Sequence, residues 1–316
     1  MIGRHKHCIA LEEYSREEIL EVIDLAVSMK EVLQRPIKKV PSLRGRSIVN
    51  LFFEASTRTR SSFEIAAKVL SADALNWTSA SSSVTKGETL VDTARNLEAM
   101  RPDVLVIRHA SGGAPRLVAE RVGCSVVSAG DGAHEHPSQG LLDCFTIREK
   151  LGTLEGKTVT IVGDVSHSRV ARSDLHAFPK LGAKVRLCGP PTMMPAGVEM
   201  LGATVHHDLR EAVEGADAVI MLRIQHERIG DPLIPNTREY SKFWGLNAKK
   251  AQEWLKPSCV ILHPGPINRG VELSPEVADG PRSVILDQVQ NGVAVRMAIL
   301  YLLAGGSPAE GAEGKA

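Results

Sequence analysis

Ser47-Ile48-Val49-Asn50-Leu51-Phe52-Phe53 is a nearly unbroken apolar run, followed at once by Glu54-Ala55-Ser56-Thr57-Arg58-Thr59-Arg60-Ser61-Ser62. A short β-rich run of this kind reads as a strand buried on both faces. The hydroxyl-rich segment leading into the helical pattern Ser61–Leu70 reads as a turn that opens a helix. The same alternation recurs along the chain. Further strands are predicted at Ala74–Thr78, Val104–Arg108, Ser125–Ser128, Thr158–Val162, Lys184–Cys188, Ala218–Leu222, Cys259–Leu262 and Ser283–Leu286. Helices are predicted at Arg16–Leu33, Leu90–Met100, Ala114–Val122, Gly140–Lys150, Asn247–Trp254 and Gly292–Leu303. Alternating β and α segments imply an α/β protein with mostly parallel sheets flanked by helices. Two such groups are present, giving two expected domains, 1–150 and 151–290, with a final helix at 291–305 packing back on the first. The tail after Gly305 is small and polar, and is expected to fray.

Composition narrows the function. Of 316 residues, 38 are Lys or Arg and 37 are Asp or Glu, a net charge of +1. Such a balance holds neither nucleic acid nor an anionic membrane, so an anion site must come from a few placed cations. Aromatic residues are only 4%, too few for single-strand stacking platforms. The five cysteines include no C-x-x-C pair, which argues against a disulfide framework or structural zinc and for a reducing compartment. No secretory apolar segment opens the chain, and the run Met297–Ala304 is far too short to span a membrane. The expectation is a cytoplasmic protein.

The segment Ser56-Thr57-Arg58-Thr59-Arg60 sits where a strand ends and a helix begins. Its hydroxyls can cap the helix, and with Arg58 and the free first-turn amides they suit a phosphate. The loop Ser81-Ser82-Ser83-Val84-Thr85-Lys86 places a mobile ammonium before the helix at Leu90; on its own it is an ordinary flexible serine loop. Arg108 ends a buried strand, a position equally suited to a rim salt bridge. In His134-Glu135-His136-Pro137-Ser138-Gln139-Gly140, a histidine can donate to a carbonyl oxygen that gains charge, and Gln139 can fix an amide. Two histidines without a third ligand at a known spacing do not make a zinc site. Gly163-Asp164-Val165-Ser166-His167-Ser168-Arg169 occupies the dinucleotide position of the second group but lacks G-x-G-x-x-G, so nicotinamide binding is not the first choice and a dehydrogenase ranks third. Arg223-Ile224-Gln225 and His263-Pro264-Gly265-Pro266 also follow predicted strands, where open α/β sheets bind ligands. Five cations, Arg58, Lys86, Arg108, Arg169 and Arg223, thus fall at strand or loop ends. No nucleophile elbow or paired carboxylates accompany them, which favours polarising a reactive phosphate compound over covalent catalysis.

In this order and over Leu11–Leu303, the motifs resemble the aspartate/ornithine carbamoyltransferase family. The loop His263-Pro264-Gly265-Pro266 lacks the cysteine of the ornithine branch, and Lys86 with Arg223-Ile224-Gln225 resembles the aspartate branch. The resemblance implies transfer of the carbamoyl group of carbamoyl phosphate to the amino group of L-aspartate, an early step of pyrimidine synthesis, with no cofactor and no metal. By matching position it implies that Ser56, Thr57, Arg58 and Thr59 hold the phosphate. Thr59, Arg108 and His136 would grip the carbamoyl oxygen, and Gln139 with the carbonyls of Gly265 and Pro266 the carbamoyl amide. Lys86, Arg169, Arg223 and Gln225 would bind aspartate. Ser82 and Lys86 would reach in from a neighbouring subunit of a homotrimer, to which a regulatory chain or a dihydroorotase can be added. Val170 and Gly265 depart from the enteric pattern, which has threonine and leucine there. Ornithine carbamoyltransferase and a non-catalytic binding subunit remain as alternatives.

Overall fold

The computed structural model describes residues 2–78, 87–225 and 233–305. They fold as two compact units. The first takes in the residues up to Ile9, Leu20–Ala129 and those from Val293 on; the second takes in Ala10–Ile19 and Gly130–Gly292.

The first unit is built on β1 (Ser47–Phe52), β2 (Asp73–Thr78), β3 (Val104–His109) and β4 (Ser125–Asp131), in the order β2-β1-β3-β4. β1 pairs in parallel with both β2 and β3. Every residue of β4 and all but the first of β1 are buried, as expected of strands covered on both faces. The covering helices include α1 (Arg16–Gln34), α2 (Thr57–Val69), α3 (Leu90–Glu98) and α4 (Ala114–Ala119). Val49, Leu51, Leu105, Ile107 and Val126 pack with Ala94 of α3 and Val118 of α4.

The second unit is built on β5 (Thr158–Val162), β6 (Lys184–Cys188), β7 (Ala203–His206), β8 (Ala218–Met221) and β9 (Val260–Leu262), ordered β7-β6-β5-β8-β9 with every pair parallel. Its helices include α5 (Pro137–Leu151), α6 (Arg169–Ala177), α7 (Leu209–Val213), α8 (Thr237–Trp244), α9 (Ala248–Trp254) and α10 (Pro275–Ala278). The closing helix α11 (Ile285–Ala304) begins in this unit and from Val293 belongs to the first, where the Arg296 guanidinium lies 5.2 Å over the Phe63 ring. Val162, Val219, Met221 and Ile261 pack with Leu209, Val213 and Leu255.

In each sheet the strand order reverses once. The chain steps outward from β1 to β2 and then returns to β3 on the other side of β1; it steps from β5 through β6 to β7 and returns to β8. Connections on either side of such a reversal leave on opposite faces, so a crevice opens beyond the carboxyl ends of the two central strands. The tips of β1 and β3, and of β5 and β8, are therefore the places to look for ligand-binding side chains.

Several elements differ from the sequence reading, which does not anticipate the short helices α7, α8 and α10. Ser283–Leu286 is not a strand: only one bridge, Ile261 to Ser283, forms there, and α11 starts at Ile285. Leu286 is 82% exposed on the first turn of that helix, so the short apolar run was the start of a helix. Conversely, β7 was not anticipated, because its four residues, Ala203-Thr204-Val205-His206, form a half-exposed edge with no apolar run. The grouping of α5 with the second unit also differs from a division at 150/151. Its packing there is close: a Cβ at Gly140 would fall 2.8 Å from Leu11 Cδ1 and 3.0 Å from Ser173 Cβ on α6. Gly140→Ala is accordingly expected to lower stability by about 1–3 kcal/mol through overpacking, read from the denaturant midpoint. An unchanged midpoint would show that α5 and α6 are not in this contact.

Candidate active site

The first switch point is formed by β1 and β3. Ser56 is the N-cap of α2, but its side chain makes no capping bond. At α3, α6, α7, α8 and α9, by contrast, Thr89, Ser168, Asp208, Asn236 and Asn247 accept from a first-turn amide. The sequence expectation that the hydroxyls around Ser56 cap the helix therefore fails for Ser56 itself. Thr57, Arg58 and Thr59 occupy the turn whose amides have no intrahelical acceptor and where the helix dipole favours an anion. Arg108 lies in register with Phe52, and its carbonyl accepts from Phe53 N at 2.9 Å. Its guanidinium is held by Glu54 (Nε to Oε2, 3.1 Å) and by the Ala129 carbonyl (3.2 Å). Ser82 and Lys86 lie outside the described residues.

The second switch point carries Arg169 and Arg223. Arg169 opens α6, just after the β5 turn, and is only 3% exposed. It donates to the Gly132 carbonyl at 3.3 Å and lies against Gly130, where φ is +110° and a Cβ would sit 2.8 Å from Arg169 Nε. Glycine at 130 thus makes room for the buried arginine. Arg223 follows β8 directly and donates to the Ile224 carbonyl at 3.2 Å. The buried Asp164 fastens the two tips: its Oδ1 accepts from His167 N and Nδ1, and its Oδ2 accepts from Gln225 N at 3.1 Å.

A third group surrounds the start of α5. His136 is its N-cap, again without a side-chain capping bond, and is 4% exposed. Its backbone N–H donates to Ser173 Oγ (2.9 Å), which in turn donates to Glu135 Oε2 (2.7 Å). Glu135 also accepts from Leu11 N and Glu12 N. Although Glu12, Glu135 and His176 are close enough to share an ion, the Glu135 oxygens are thus already engaged. The partner of His134 is Asp131, at 3.1 Å, and this hydrogen bond raises its pKa. The two histidines of the H-x-H segment therefore answer to different groups. Gln139 Nε2 donates to both oxygens of Asp143. In the loop after β9, Gly265 N donates to His263 Nδ1 (2.8 Å), and His263 Nε2 donates to Glu272 Oε1 (3.1 Å). The Gly265–Pro266 peptide is cis.

The first unit therefore places Ser56, Thr57, Arg58, Thr59 and Arg108 around one pair of strand tips. His136, Gln139, Arg169, Arg223, Gln225, Gly265 and Pro266 all belong to the second unit. Sequence reasoning missed the buried groups that hold them: Glu135, Asp143, Ser173, Glu272 and Gln288. Asp143 had a weak signal, four residues from Gln139 on one helix face. Gln288 had none. The five cysteines are free, and burial pushes the thiols of Cys188 and Cys259 up to about 12.

Two family models match. Residues 6–149 fit the aspartate/ornithine carbamoyltransferase carbamoyl-P binding domain, and residues 155–303 fit the Asp/Orn binding domain of the same family. The chain belongs to the aspartate/ornithine carbamoyltransferase family. It is 92% identical over 310 residues to the aspartate carbamoyltransferase catalytic subunit of Anaeromyxobacter dehalogenans (strain 2CP-C), covering 98% of this chain and 99% of that one. It is 62% identical to the same subunit of Geobacter sulfurreducens, over 96% of this chain and 97% of the other. Aspartate transcarbamoylase from Trypanosoma cruzi, solved with carbamoyl phosphate and aspartate, superimposes with a TM-score of 0.86 at 32% identity, covering 95% and 97% of the two chains. Ornithine carbamoyltransferase from Thermus thermophilus gives 0.84 at 28%, covering 95% and 99%.

Behind this carbamoyltransferase framework α6 buries Asp174, and neither of its carboxylate oxygens has a hydrogen-bond partner among the described residues. Burial, followed by the charges of Asp143 and Glu135, holds its pKa well above the usual carboxylate value. The folded state then binds this proton more tightly than the unfolded state. Its contribution is complete below the unfolded pKa of about 3.9 and is lost as pH rises toward the folded one. Asp174→Asn cannot titrate, so its thermal midpoint is expected to gain on the wild type as pH rises above about 4. A difference that stays constant with pH would contradict this.

Proposed function

We propose that this chain is an aspartate carbamoyltransferase, giving N-carbamoyl-L-aspartate and phosphate at an early step of pyrimidine biosynthesis. The observation that carries the reading is the placement of arginines at the tips flanking both sheet reversals, Arg108 at the end of β3 paired to β1, and Arg169 and Arg223 after β5 and β8, in a chain of this family. Residues 1–150 are proposed to bind carbamoyl phosphate and 151–290 to bind aspartate.

In the proposed mechanism the aspartate amino group attacks the carbonyl carbon of carbamoyl phosphate. A C–N bond forms as the carbonyl π pair moves onto oxygen, where Thr59, Arg108 and His136 stabilise it. The oxyanion then re-forms the carbonyl and the C–O bond to phosphate breaks. Ser56, Thr57, Arg58 and Thr59 receive the developing phosphate charge, and phosphate takes the amine proton. Gln139 and the Gly265 and Pro266 carbonyls orient the carbamoyl amide. Arg169, Arg223, Gln225 and Lys86 neutralise the aspartate carboxylates. No residue is acylated and no cofactor or metal is required.

Ser82 and Lys86 are proposed to act in the site of a neighbouring copy, which makes a homotrimer the working form; a regulatory chain or dihydroorotase is a possible addition. Among the described residues no helix is long and apolar enough to cross a membrane; a cytoplasmic location is proposed from the reading as an enzyme of pyrimidine biosynthesis.

The direct test is colorimetric detection of carbamoyl-aspartate with purified protein, with ornithine as competing acceptor. Aspartate is expected to be carbamoylated and ornithine not; the reverse would assign the chain to the ornithine branch, and no turnover with either would leave a binding subunit. His136→Ala is expected to lower kcat by about 100- to 1,000-fold, the usual effect of losing one oxyanion donor. Mixing inactive Lys86→Ala chains with inactive Arg58→Ala chains is expected to restore turnover, because one mixed site then has both wild-type residues. Mixtures that stay inactive after subunit exchange would place Lys86 in its own chain's site.

A further inference from the structure

Asp143 is fully buried on α5 and accepts from two glutamine amides at once. Gln139 Nε2 lies 3.1 and 3.3 Å from its two oxygens, and Gln288 Nε2, at the start of α11, lies 2.6 Å from Oδ1. Its oxygens accept from both glutamines, so both side chains turn their NH2 groups toward it. The opposite end of each side chain is then determined. Gln288 Oε1 becomes an acceptor and takes the His263 backbone N–H at 2.8 Å. Gln139 Oε1 becomes an acceptor as well, and no described residue donates to it. His263 in turn receives Gly265 N on Nδ1 and donates from Nε2 to the buried Glu272, which also accepts from Asn268 N at 2.6 Å. One buried carboxylate thus sets the direction of two amides, one on the first turn of α5 and one fastening the Gly265–Pro266 loop.

We infer that Asp143 is a positioning residue that makes Gln139 an obligate acceptor for the substrate's carbamoyl NH2, and so selects a carbamoyl over an acyl phosphate. The inference rests on the proposed carbamoyl-transfer reading. A Gln139 amide free to rotate presents its NH2 to the ligand for part of the time and repels the carbamoyl NH2; held by Asp143, it presents oxygen only. Asp143→Asn keeps the shape but places an NH2 where Gln139 now finds a second carboxylate oxygen, so the lock weakens.

The test compares dissociation constants for carbamoyl phosphate, acetyl phosphate and inorganic phosphate, by calorimetry on the full-length wild type and Asp143→Asn. Acetyl phosphate carries a methyl group in place of the NH2. The wild type is expected to prefer carbamoyl phosphate, and the variant to lose about tenfold of that preference while acetyl phosphate and inorganic phosphate bind as before. An unchanged preference, or equal weakening of all three ligands, would overturn the inference and leave Asp143 a structural group. If the variant does not fold, the wild-type crystal structure with phosphonoacetamide decides: the ligand NH2 within about 3.2 Å of the Gln139 side chain supports the inference, and the ligand carbonyl oxygen in that place overturns it. Wild-type protein that carbamoylates no amino acid would refute the functional reading itself, which the calorimetric comparison does not touch.

Discussion

A parallel sheet covered on both faces has only its ends left for chemistry. Strands such as β1, β4 and β8 are almost wholly buried, so any side chain that is to meet a ligand must stand at a strand tip or on the turn after it. The reversal of strand order then selects which tips matter, because only there do the flanking connections part and leave a crevice. Arg108 beside β1, Arg169 after β5 and Arg223 after β8 are consequences of that geometry. The placing of charge in this protein is first a matter of topology and only then of residue type.

Charge at such tips has to be held in direction, and the structure does this with acids, the half-buried Glu54 and the buried Asp164, Glu135 and Glu272. Glu54 takes the Arg108 guanidinium, Asp164 takes His167 and the Gln225 amide, Glu135 takes Ser173 and the backbone of residues 11 and 12, and Glu272 takes His263. Asp164, Glu135 and Glu272 each accept two or more hydrogen bonds, which is the condition for burying a carboxylate without a large desolvation penalty. Asp174 is the exception, and burial resolves its position differently, by favouring the protonated form. Preorganised donors of this kind need not reorient when charge develops on a reacting group, and this absence of reorganisation makes them effective in catalysis.

Capping shows the same economy. Among the described helices, α3, α6, α7, α8 and α9 satisfy a first-turn amide with a side chain, whereas Ser56 at α2 and His136 at α5 do not, nor do Gly113 at α4 and Ser274 at α10. Both starts follow a strand of the first sheet. Leaving amides unsatisfied sacrifices about 1 kcal/mol of helix stability at each start, and a bound anion or carbonyl oxygen can restore it.

By itself the sequence determined the alternation of strands and helices, the two parallel sheets and the family, because buried parallel strands are written as continuous apolar runs and the site motifs are contiguous in the chain. It also put Ser56–Arg58, Arg108, His136 and Arg223 at or just after the ends of such runs. It did not determine the edge strand β7 or the start of α11 at Ile285, where four or fewer residues carry too little periodicity to separate strand from helix. Only the tertiary structure decided how those groups are held. Asp143 and Gln288 meet across 145 residues of chain, and Ser173 reaches His136 across 37. A hydrogen bond between distant residues depends on how two helices pack, and no local pattern records that distance.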